Sequence, residues 1–473
     1  MKKLQIILVL IFFLILTNLN AQKVWTLQNC IEYALDNNIQ IKQQALNVDI
    51  NKENLIQNKA SLLPNLNFSG THVYNYGSTI DRFAGTFTTE NIRSNNFYIQ
   101  SQLTLFNGFQ LLNSIKQSQL DLMASKYNVD KAKDDISLAI TTAYLQILYN
   151  LELLDIARGQ LDITRLQVER TKKLVDAGTL TRGGLLTIEA QAATEELQMV
   201  NSENNLNLSY LTLTQLLDLP SPDGFEIEKP ELKISKESSS ILRPDQIFAF
   251  AVNNQADIKS SEISVESSLK GLSIAKGTIS PSLSISSSYG TGYSGANEIG
   301  KNPITNAVPI GYTLGGDMVF SDYQTFSTYE TKSFNEQLDD NSNYSIGFYL
   351  TIPIFNRLQS KTSIARARIN VKNAEYNLQL TKNQLNKTIQ QAHADAIAAL
   401  NKYNATMKSV VALEESFKYT EQKYNVGLLN SLEYNDAKNK LAQAKSELLQ
   451  AKYEYVFRTK VLDFYQGKPL LLN

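Results

Sequence analysis

The sequence predicts an α+β membrane protein in which a few short strands are joined to very long helices, with the whole arrangement duplicated. Three features of the 473-residue chain support this prediction. Residues 357–426 contain neither Gly nor Pro, several segments alternate between polar and apolar residues, and landmarks recur 249 positions apart. We therefore expect each chain to give four strands to a trimeric, 12-stranded β-barrel, which continues into an α-helical coiled-coil barrel.

The first residues predict a secretory signal peptide. Lys2 and Lys3 form a basic start, Leu4–Leu16 is almost entirely apolar, and a polar stretch then ends at the small residue Ala21. This order of features is typical of a signal that is removed after export, here residues 1–21. As a helix, the apolar stretch would span only about 20 Å, which is short of the ~30 Å hydrocarbon core of a bilayer.

The composition argues against several functional classes. The net charge is −1, from 45 basic and 46 acidic residues, so no nucleic-acid partner is expected. The single cysteine, Cys30, excludes an internal disulfide and is expected to be buried in a helix, and the two histidines are too few for a His-based metal site. With neither a nucleophile–base set nor a Gly-rich phosphate loop, we expect no enzyme activity, no cofactor and no metal.

Two pairs of landmarks define an internal repeat. Phe106 and Phe355 are 249 positions apart, and so are Gly178 and Gly427. Apolar residues between these landmarks keep the same spacing in both copies, which is the signature of a duplicated structural unit. The second copy carries about 32 additional residues around Asn302 to Asn341, which we interpret as a polar loop.

The repeat divides the chain into three parts after the signal peptide. Repeat 1 covers residues 22–220 and repeat 2 covers residues 244–473. Residues 221–243, which are rich in Pro, Ser and Glu, form a connector. Each repeat is predicted to contain a helix, a β-hairpin, a very long helix and a further helix.

Four segments have the period of two residues that is typical of a β-strand with one apolar and one polar face. Each has about ten residues, the length that a tilted strand needs to cross a bilayer. A soluble β-sandwich would show the same alternation. However, four strands cannot close a membrane barrel, and an open sheet edge is not tolerated in lipid, so three chains would together supply the strands. The segments are residues 66–76, 97–105, 283–293 and 344–354.

Long helices are predicted on either side of a glycine turn in each repeat. Residues 110–177 and 357–426 are each long enough for a helix of about 100 Å. Their partners are residues 182–217 and 431–462, and single helices are predicted upstream at 27–61 and 245–276. Apolar residues three and four positions apart indicate a coiled-coil seam. An exposed coiled-coil stalk or adhesin without a pore is the alternative interpretation.

The two glycine turns place apolar residues at exposed helix tips. Gly178 and Gly427 are expected to adopt the left-handed conformation that ends many helices. The residues that follow them are expected to form a docking surface, with ordinary packing within the turn as the alternative. They are Thr179 and Leu180 in repeat 1, and Leu428 and Leu429 in repeat 2.

Taken together, these residues resemble the TolC-type outer-membrane efflux proteins. The resemblance rests on the duplicated pattern, the opening 25–27 with 34–38, the Leu63-Pro64 break, and Tyr424-Asn425-Val426-Gly427, and it covers almost the whole chain after the signal peptide. It implies a homotrimer in the outer-membrane lipid with a helical extension into the periplasm. It also implies a passive duct for efflux or type I secretion that docks to a periplasmic adaptor and an inner-membrane transporter of the RND, ABC or MFS type.

The resemblance also implies a periplasmic aperture. Family members carry acidic residues six and nine positions after the second glycine, which correspond to Glu433 and Asp436, and a tyrosine that corresponds to Tyr424. The chain departs from the family at Leu429, where an arginine can occur, and at Gly184, where an acid can occur. A threefold ring would bring the like charges close together and attract cations. Salt bridges between helices are the alternative for these acids.

The cargo is not evident from the sequence. Drugs, metals, siderophores and proteins all remain open, because the wall of a duct need not bind what passes through it.

Overall fold

A computed structural model describes residues 24–80, 85, 87–88, 91–230, 232 and 242–472, so the predicted signal peptide lies outside the described residues. The described residues fall into two compact units. One lies within Met1–Lys52, Leu120–Glu266 and Lys372–Asn473, and the other within Glu53–Gln119 and Ser267–Val371. In the part of the chain described, no helix is both long and apolar enough to cross a membrane.

Four helices of 11, 22, 67 and 35 residues occur in this order in both halves of the chain, and the second half has an additional helix of 7 residues. The first half contains α1 (Leu27–Asn37), α2 (Ile39–Ala60), β1 (Asn65–Asn75), β2 (Thr79–Ile80), β3 (Phe87–Thr88), β4 (Ile92–Phe106), α3 (Gln110–Asp176) and α4 (Arg182–Leu216). The second half contains α5 (Pro244–Asn254), α6 (Ala256–Gly277), β5 (Ser282–Ser294), β6 (Glu298–Tyr312), β7 (Met318–Thr331), α7 (Phe334–Asp340), β8 (Asn343–Thr351), α8 (Gln359–Asn425) and α9 (Ser431–Tyr465).

Each predicted upstream helix is in fact two helices, so the prediction of one continuous segment was wrong. Asn38 separates α1 from α2 and has an extended backbone with ψ 128°. Its side-chain amide donates to the carbonyl of Leu216 at 3.0 Å, and its side-chain oxygen accepts from the backbone N–H of Gln40 at 2.9 Å. Gln255 makes the same break between α5 and α6, with ψ 133°. A contact with a distant helix end and a local cap therefore stabilise the break at Asn38.

The first unit has an apolar core built on the middle of α3. Ile140, Tyr144 and Ile147 are almost completely buried there, together with Cys30 of α1, as predicted for that cysteine. The Tyr144 hydroxyl donates to the carbonyls of Trp25 and Glu228, at 3.1 and 2.8 Å. Burial raises the pKa of the Cys30 thiol to about 12. This core therefore ties the start of the described chain and the beginning of the connector to one long helix.

The second unit contains a four-stranded antiparallel sheet in the order β1-β4-β5-β8. The two predicted hairpins are confirmed: Phe68 pairs with Ile99, and Tyr289 pairs with Tyr344. An additional pairing between β4 and β5, which places Ile99 opposite Tyr289, joins the hairpins edge to edge. This one sheet thus combines two strands from each half of the chain.

The insertion in the second half is not the polar loop that was expected. Strands β6 and β7 form a separate antiparallel hairpin, and α7 follows them. Thr, Tyr, Val and Ile are frequent in this stretch, and these residues favour strands even where the average composition is polar. Gly316, with φ +90°, lies in the turn between the two strands.

A close backbone crossing requires Gly108 just before α3. Its φ is +66°, and a Cβ atom there would lie 2.5 Å from the carbonyl oxygen of Gly277 and 2.6 Å from Cβ of Ser280. Gly277 is equally restricted, because its own Cβ would lie 2.6 Å from the carbonyl oxygen of Gly108. Two glycines thus allow the start of α3 and the end of α6 to meet.

We predict that Gly108→Ala lowers the thermal unfolding midpoint of the purified protein. The left-handed backbone alone costs alanine about 1–2 kcal/mol, and the contact with Gly277 adds to this. Gly159→Ala is the matched control, because Gly159 lies inside α3 with no neighbouring atom within 4 Å of an added Cβ. That substitution should raise the midpoint, since Ala favours a helix over Gly by up to about 1 kcal/mol. Equal midpoints for the two variants would contradict the crossing.

Candidate functional site

The four-stranded sheet has one apolar and one polar face, as its register with alternating side chains requires. In the single chain the apolar face is largely uncovered, and an uncovered apolar surface of this kind indicates an interaction with lipid or protein. The apolar face carries Leu66, Phe68, Tyr74, Phe97, Ile99, Leu103, Leu283, Ile285, Tyr289, Tyr344, Ile346, Phe348 and Leu350. The polar face carries Asn65, Asn67, Ser69, Thr71, Asn96, Gln100, Gln102, Ser284, Ser286, Ser288 and Ser345.

The same sheet has two open edges within the described residues. Strands β1 and β8 are the outermost strands, and each pairs on one side only. Their outer N–H and C=O groups are therefore available to another strand. Strand β8 has nine residues and strand β1 has eleven. The open edges are therefore similar in length to the paired segments inside the sheet.

In the first unit, the two glycine turns have the predicted backbone. Gly178 and Gly427 have φ values of +73° and +77°. After each glycine, a backbone N–H bonds across the helix end: Thr179 donates to the carbonyl of Leu174, and Leu428 to that of Lys423, both at 2.9 Å. This pattern satisfies carbonyl groups that the end of a helix leaves unpaired.

Apolar side chains at these tips are exposed in the single chain, with one exception among the predicted residues. Leu180 is 47% exposed and Leu428 is 74% exposed, whereas Leu429 is half-buried. Val426 and Leu432 are also about 70% exposed, and the sequence analysis did not include them. The sequence signal that could have identified Val426 and Leu432 is their apolar character close to the glycine turn.

Tyr424 is part of an aromatic cluster. Its ring lies 4.5 Å from that of Tyr434, and Phe417 lies 5.3 Å from Tyr434 on another side. Tyr434 is almost fully buried, and burial raises the pKa of its hydroxyl to about 12. The sequence analysis missed Tyr434, although it lies between the two acidic residues on α9. The cluster holds the start of α9 against the end of α8.

Glu433 and Asp436 are both exposed, and among the described residues neither forms the salt bridge between helices that was the alternative. Glu433 caps α9: its backbone N–H donates to Asn430 Oδ1 at 2.9 Å, and its carboxylate accepts from the Asn430 N–H at 3.3 Å. Asp436 pairs with Lys440 one turn further along α9, at 2.7 Å. Because both members of this pair are well exposed, the pair contributes little to stability.

The ends of the two long helices are also linked to each other. Arg170, near the end of α3, donates through Nη1 to the side-chain oxygen of Asn425 at 2.7 Å. Asn425 is the last residue of α8. Gly184, where family members can carry an acid, lies at the start of α4, and its N–H donates to the hydroxyl of Thr181 at 3.4 Å.

A buried polar cluster forms around Lys438, two residues after Asp436 on α9. Lys438 is 2% exposed, and its Nζ lies 3.0 Å from both carboxylate oxygens of Glu195. The same amine donates to the Gln160 carbonyl at 2.8 Å and to the Thr164 hydroxyl, which in turn donates to Glu195 at 2.5 Å. The cluster connects α9 to α4 and α3. Burial lowers the pKa of Lys438, and the hydrogen bond and charge of Glu195 partly offset this effect.

The two faces of the sheet, its open edges and the paired long helices are features expected of an outer-membrane channel protein. The sequence model of the family described as outer membrane efflux protein matches residues 30–218 and 250–467. The chain therefore belongs to the outer membrane efflux protein family. This assignment places it in the outer membrane as an efflux duct and does not favour the stalk or adhesin.

Individual relatives are distant but cover most of the chain. The outer membrane protein TolC of Salmonella enteritidis is 20% identical over 436 residues, which are 91% of this chain and 79% of the relative. The outer membrane efflux protein BepC of Brucella suis biovar 1 is 19% identical over 437 residues, 92% of this chain and 84% of the relative. The crystal structure of the outer membrane protein VceC from Vibrio cholerae has a TM-score of 0.72 at 17% identity, covering 94% of this chain and 96% of VceC.

We predict that Lys438→Met strongly destabilises the protein, because it leaves the Glu195 carboxylate buried without its partner. Breaking a buried ion pair in this way typically costs about 3–5 kcal/mol. The double variant Lys438→Met, Glu195→Met should regain most of the loss, since it removes both charges. Thermal unfolding midpoints of the three proteins test this. A single variant as stable as the wild type would show that the pair does not connect the helices.

Proposed function

We propose that three copies of this chain form one duct through the outer membrane, with a 12-stranded β-barrel that continues into a tunnel of α-helices. The observation that carries the proposal is the open four-stranded sheet, with its apolar face, its polar face and its two unpaired edges. Lipid would cover the apolar face, and the polar face would line the water-filled interior.

Pairing of β8 with β1 of a neighbouring chain satisfies the edges. In hydrocarbon each unsatisfied backbone group costs several kcal/mol, so an open edge is not viable there. Four strands are too few for a membrane barrel, which has at least about eight. Three chains with four strands each give twelve, and a threefold ring needs only one kind of edge-to-edge contact.

The helical part of the duct would be built from two repeats, residues 22–220 and 244–473, joined by a connector at residues 221–243. The equal lengths of the helices in the two halves support this division. At 1.5 Å per residue, α3 and α8 are each about 100 Å long. Helices of this length suit a passive conduit that extends from the membrane into the periplasm.

The periplasmic end would contain an aperture formed by Tyr424, Glu433 and Asp436. The exposure of both carboxylates, next to the aromatic cluster of Tyr424 and Tyr434, supports this assignment. In a threefold ring these acids would attract cations, as rings of acidic side chains do in cation channels. The cluster of Lys438 and Glu195 would hold this end of α9 in position.

The helix tips would be the docking surface for a periplasmic adaptor protein, which connects the duct to an inner-membrane pump of the RND, ABC or MFS type. The tips consist of Gly178, Thr179 and Leu180 in one half, and Gly427, Leu428 and Leu429 in the other. The exposure of Leu180 and Leu428 supports this role, since exposed apolar patches often mark interaction sites. The family description specifies efflux, which supports export as the direction of transport.

Two neighbouring residues of β8 test the orientation of the sheet in the membrane. Phe348 lies on the apolar face, and Tyr349 lies on the polar face. A lysine on the lipid face costs about 2–4 kcal/mol at the middle of the bilayer, whereas a lysine in the lumen is solvated. We therefore expect Phe348→Lys to reduce the amount of assembled protein in outer-membrane fractions, with Tyr349→Lys close to wild type. The reverse order would show that the faces are assigned wrongly.

Ion selectivity in planar bilayers tests the aperture. The double variant Glu433→Ala, Asp436→Ala should lose cation selectivity, because it removes six carboxylates from the proposed threefold ring. Lys440→Ala is the reciprocal control: it removes the cation that pairs with Asp436, so cation selectivity should increase. If neither variant changes the reversal potential in a salt gradient, these residues do not line the aperture.

A further inference from the structure

A groove with only basic charges lies in the second unit, beside the start of α8. It has a volume of about 660 Å³ and is lined by α6, the first turns of α8 and one residue of α3. Of the described residues that line it, Arg357 and Arg366 are the only charged ones, and polar groups including Gln117, Thr362 and Asn370 complete the wall. These lining residues include no carboxylate, so the charge of the groove favours an anion.

Within the described part of the chain, the cations of this region form no ion pairs. Arg357, Lys361, Arg366 and Arg368 lie within twelve positions, and among the described residues none of them belongs to an ion pair. The first turn of α8 also contains no acidic residue. Two of these charges, Arg357 and Lys361, lie at the N-terminus of α8 and are unfavourable there, because that end of a helix is already positive. A bound anion would remove the repulsion.

The other half of the chain provides an internal comparison. At an offset of 249 positions, the four cations correspond to Gly108, Leu112, Gln117 and Gln119, all of which are uncharged. The same helix start therefore folds without these charges, as α3 demonstrates. The basic residues are a specific property of the second half and are not a requirement of the architecture.

Arg357 also has a backbone conformation that rarely suits its residue type. Its φ is +54°, in the left-handed region, where its counterpart Gly108 has φ +66°. Left-handed conformations cost residues other than glycine roughly 1–2 kcal/mol, and such costs are often found at functional sites. Glycine would be the unstrained choice at position 357. Arg357 is therefore a strained residue that also lines the groove.

We infer that this groove binds a phosphate group. Arg forms two parallel hydrogen bonds with a phosphate, and the N-terminus of a helix favours the same ligand. The amide groups of Gln117 and Asn370 add neutral donors. One source of the phosphate is a phospholipid headgroup, because Arg357 follows the end of β8 at Thr351 by only six residues, a reach of at most about 20 Å. The other source is a phosphate-bearing solute in water.

The test uses the full chain purified in detergent at low ionic strength. Isothermal titration calorimetry measures binding of inorganic phosphate, short-chain phosphatidylglycerol and short-chain phosphatidylcholine. The variant is Arg357→Gly, Arg366→Gln, which introduces the residues that the first half has at these positions. Because Gly suits the left-handed backbone, this variant should fold, and thermal unfolding checks that it does. Arg368→Gln is the matched control, since Arg368 is an exposed cation that does not line the groove.

The expected result is binding of a phosphate compound that is about tenfold weaker in the double variant and unchanged in the control. Binding of phosphatidylglycerol without inorganic phosphate identifies a lipid headgroup as the source, and binding of inorganic phosphate identifies a free solute. The inference is overturned if the wild type binds none of the three compounds, or if the double variant binds as tightly as the wild type. It is also overturned if Arg368→Gln weakens binding equally, because the loss of affinity then reflects the overall positive charge of the region and not the groove.

Discussion

The N–H and C=O groups along the outer edges of β1 and β8 need partners, and the rest of the proposed assembly follows from that need. Water can satisfy such groups at the surface of a soluble protein, but hydrocarbon cannot. The apolar face of the sheet, with Phe68, Ile99 and Phe348, is suited to hydrocarbon and poorly suited to water. In the proposed assembly, neighbouring chains satisfy both edges of the sheet, and a ring of chains would also bring their long helices and tips together around one axis.

Duplication explains much of the architecture, and the differences between the two halves are where specific properties lie. The helices α3 and α8 have the same length, as do α4 and α9. However, only the second half carries the β6–β7 hairpin and the basic groove at Arg357. The acidic residues of the proposed aperture are also on the second half, on α9. The two halves thus share the long helices, and the inserted hairpin, the basic groove and the acids of the proposed aperture distinguish the second half.

Local patterns made part of this structure predictable. The absence of Gly and Pro, together with apolar spacing, predicted the long helices, and alternation predicted the four strands of the sheet. The ability of glycine to adopt the left-handed conformation predicted the turns at Gly178 and Gly427. In contrast, the break at Asn38 depends on a hydrogen bond to Leu216, and the buried contact of Lys438 with Glu195 joins residues 243 positions apart. Such contacts leave no periodic signal, and in the β6–β7 hairpin the polar composition obscured the strands.

The number of chains in the assembled particle tests the central claim most directly. Light scattering combined with size-exclusion chromatography, corrected for bound detergent, measures the protein mass of the particle extracted from outer membranes. The account predicts three copies of the chain, because three sheets of four strands close one barrel and leave no edge of β1 or β8 exposed to lipid. A stable particle with a single chain would contradict it, since that chain would have to tolerate two open sheet edges in the membrane.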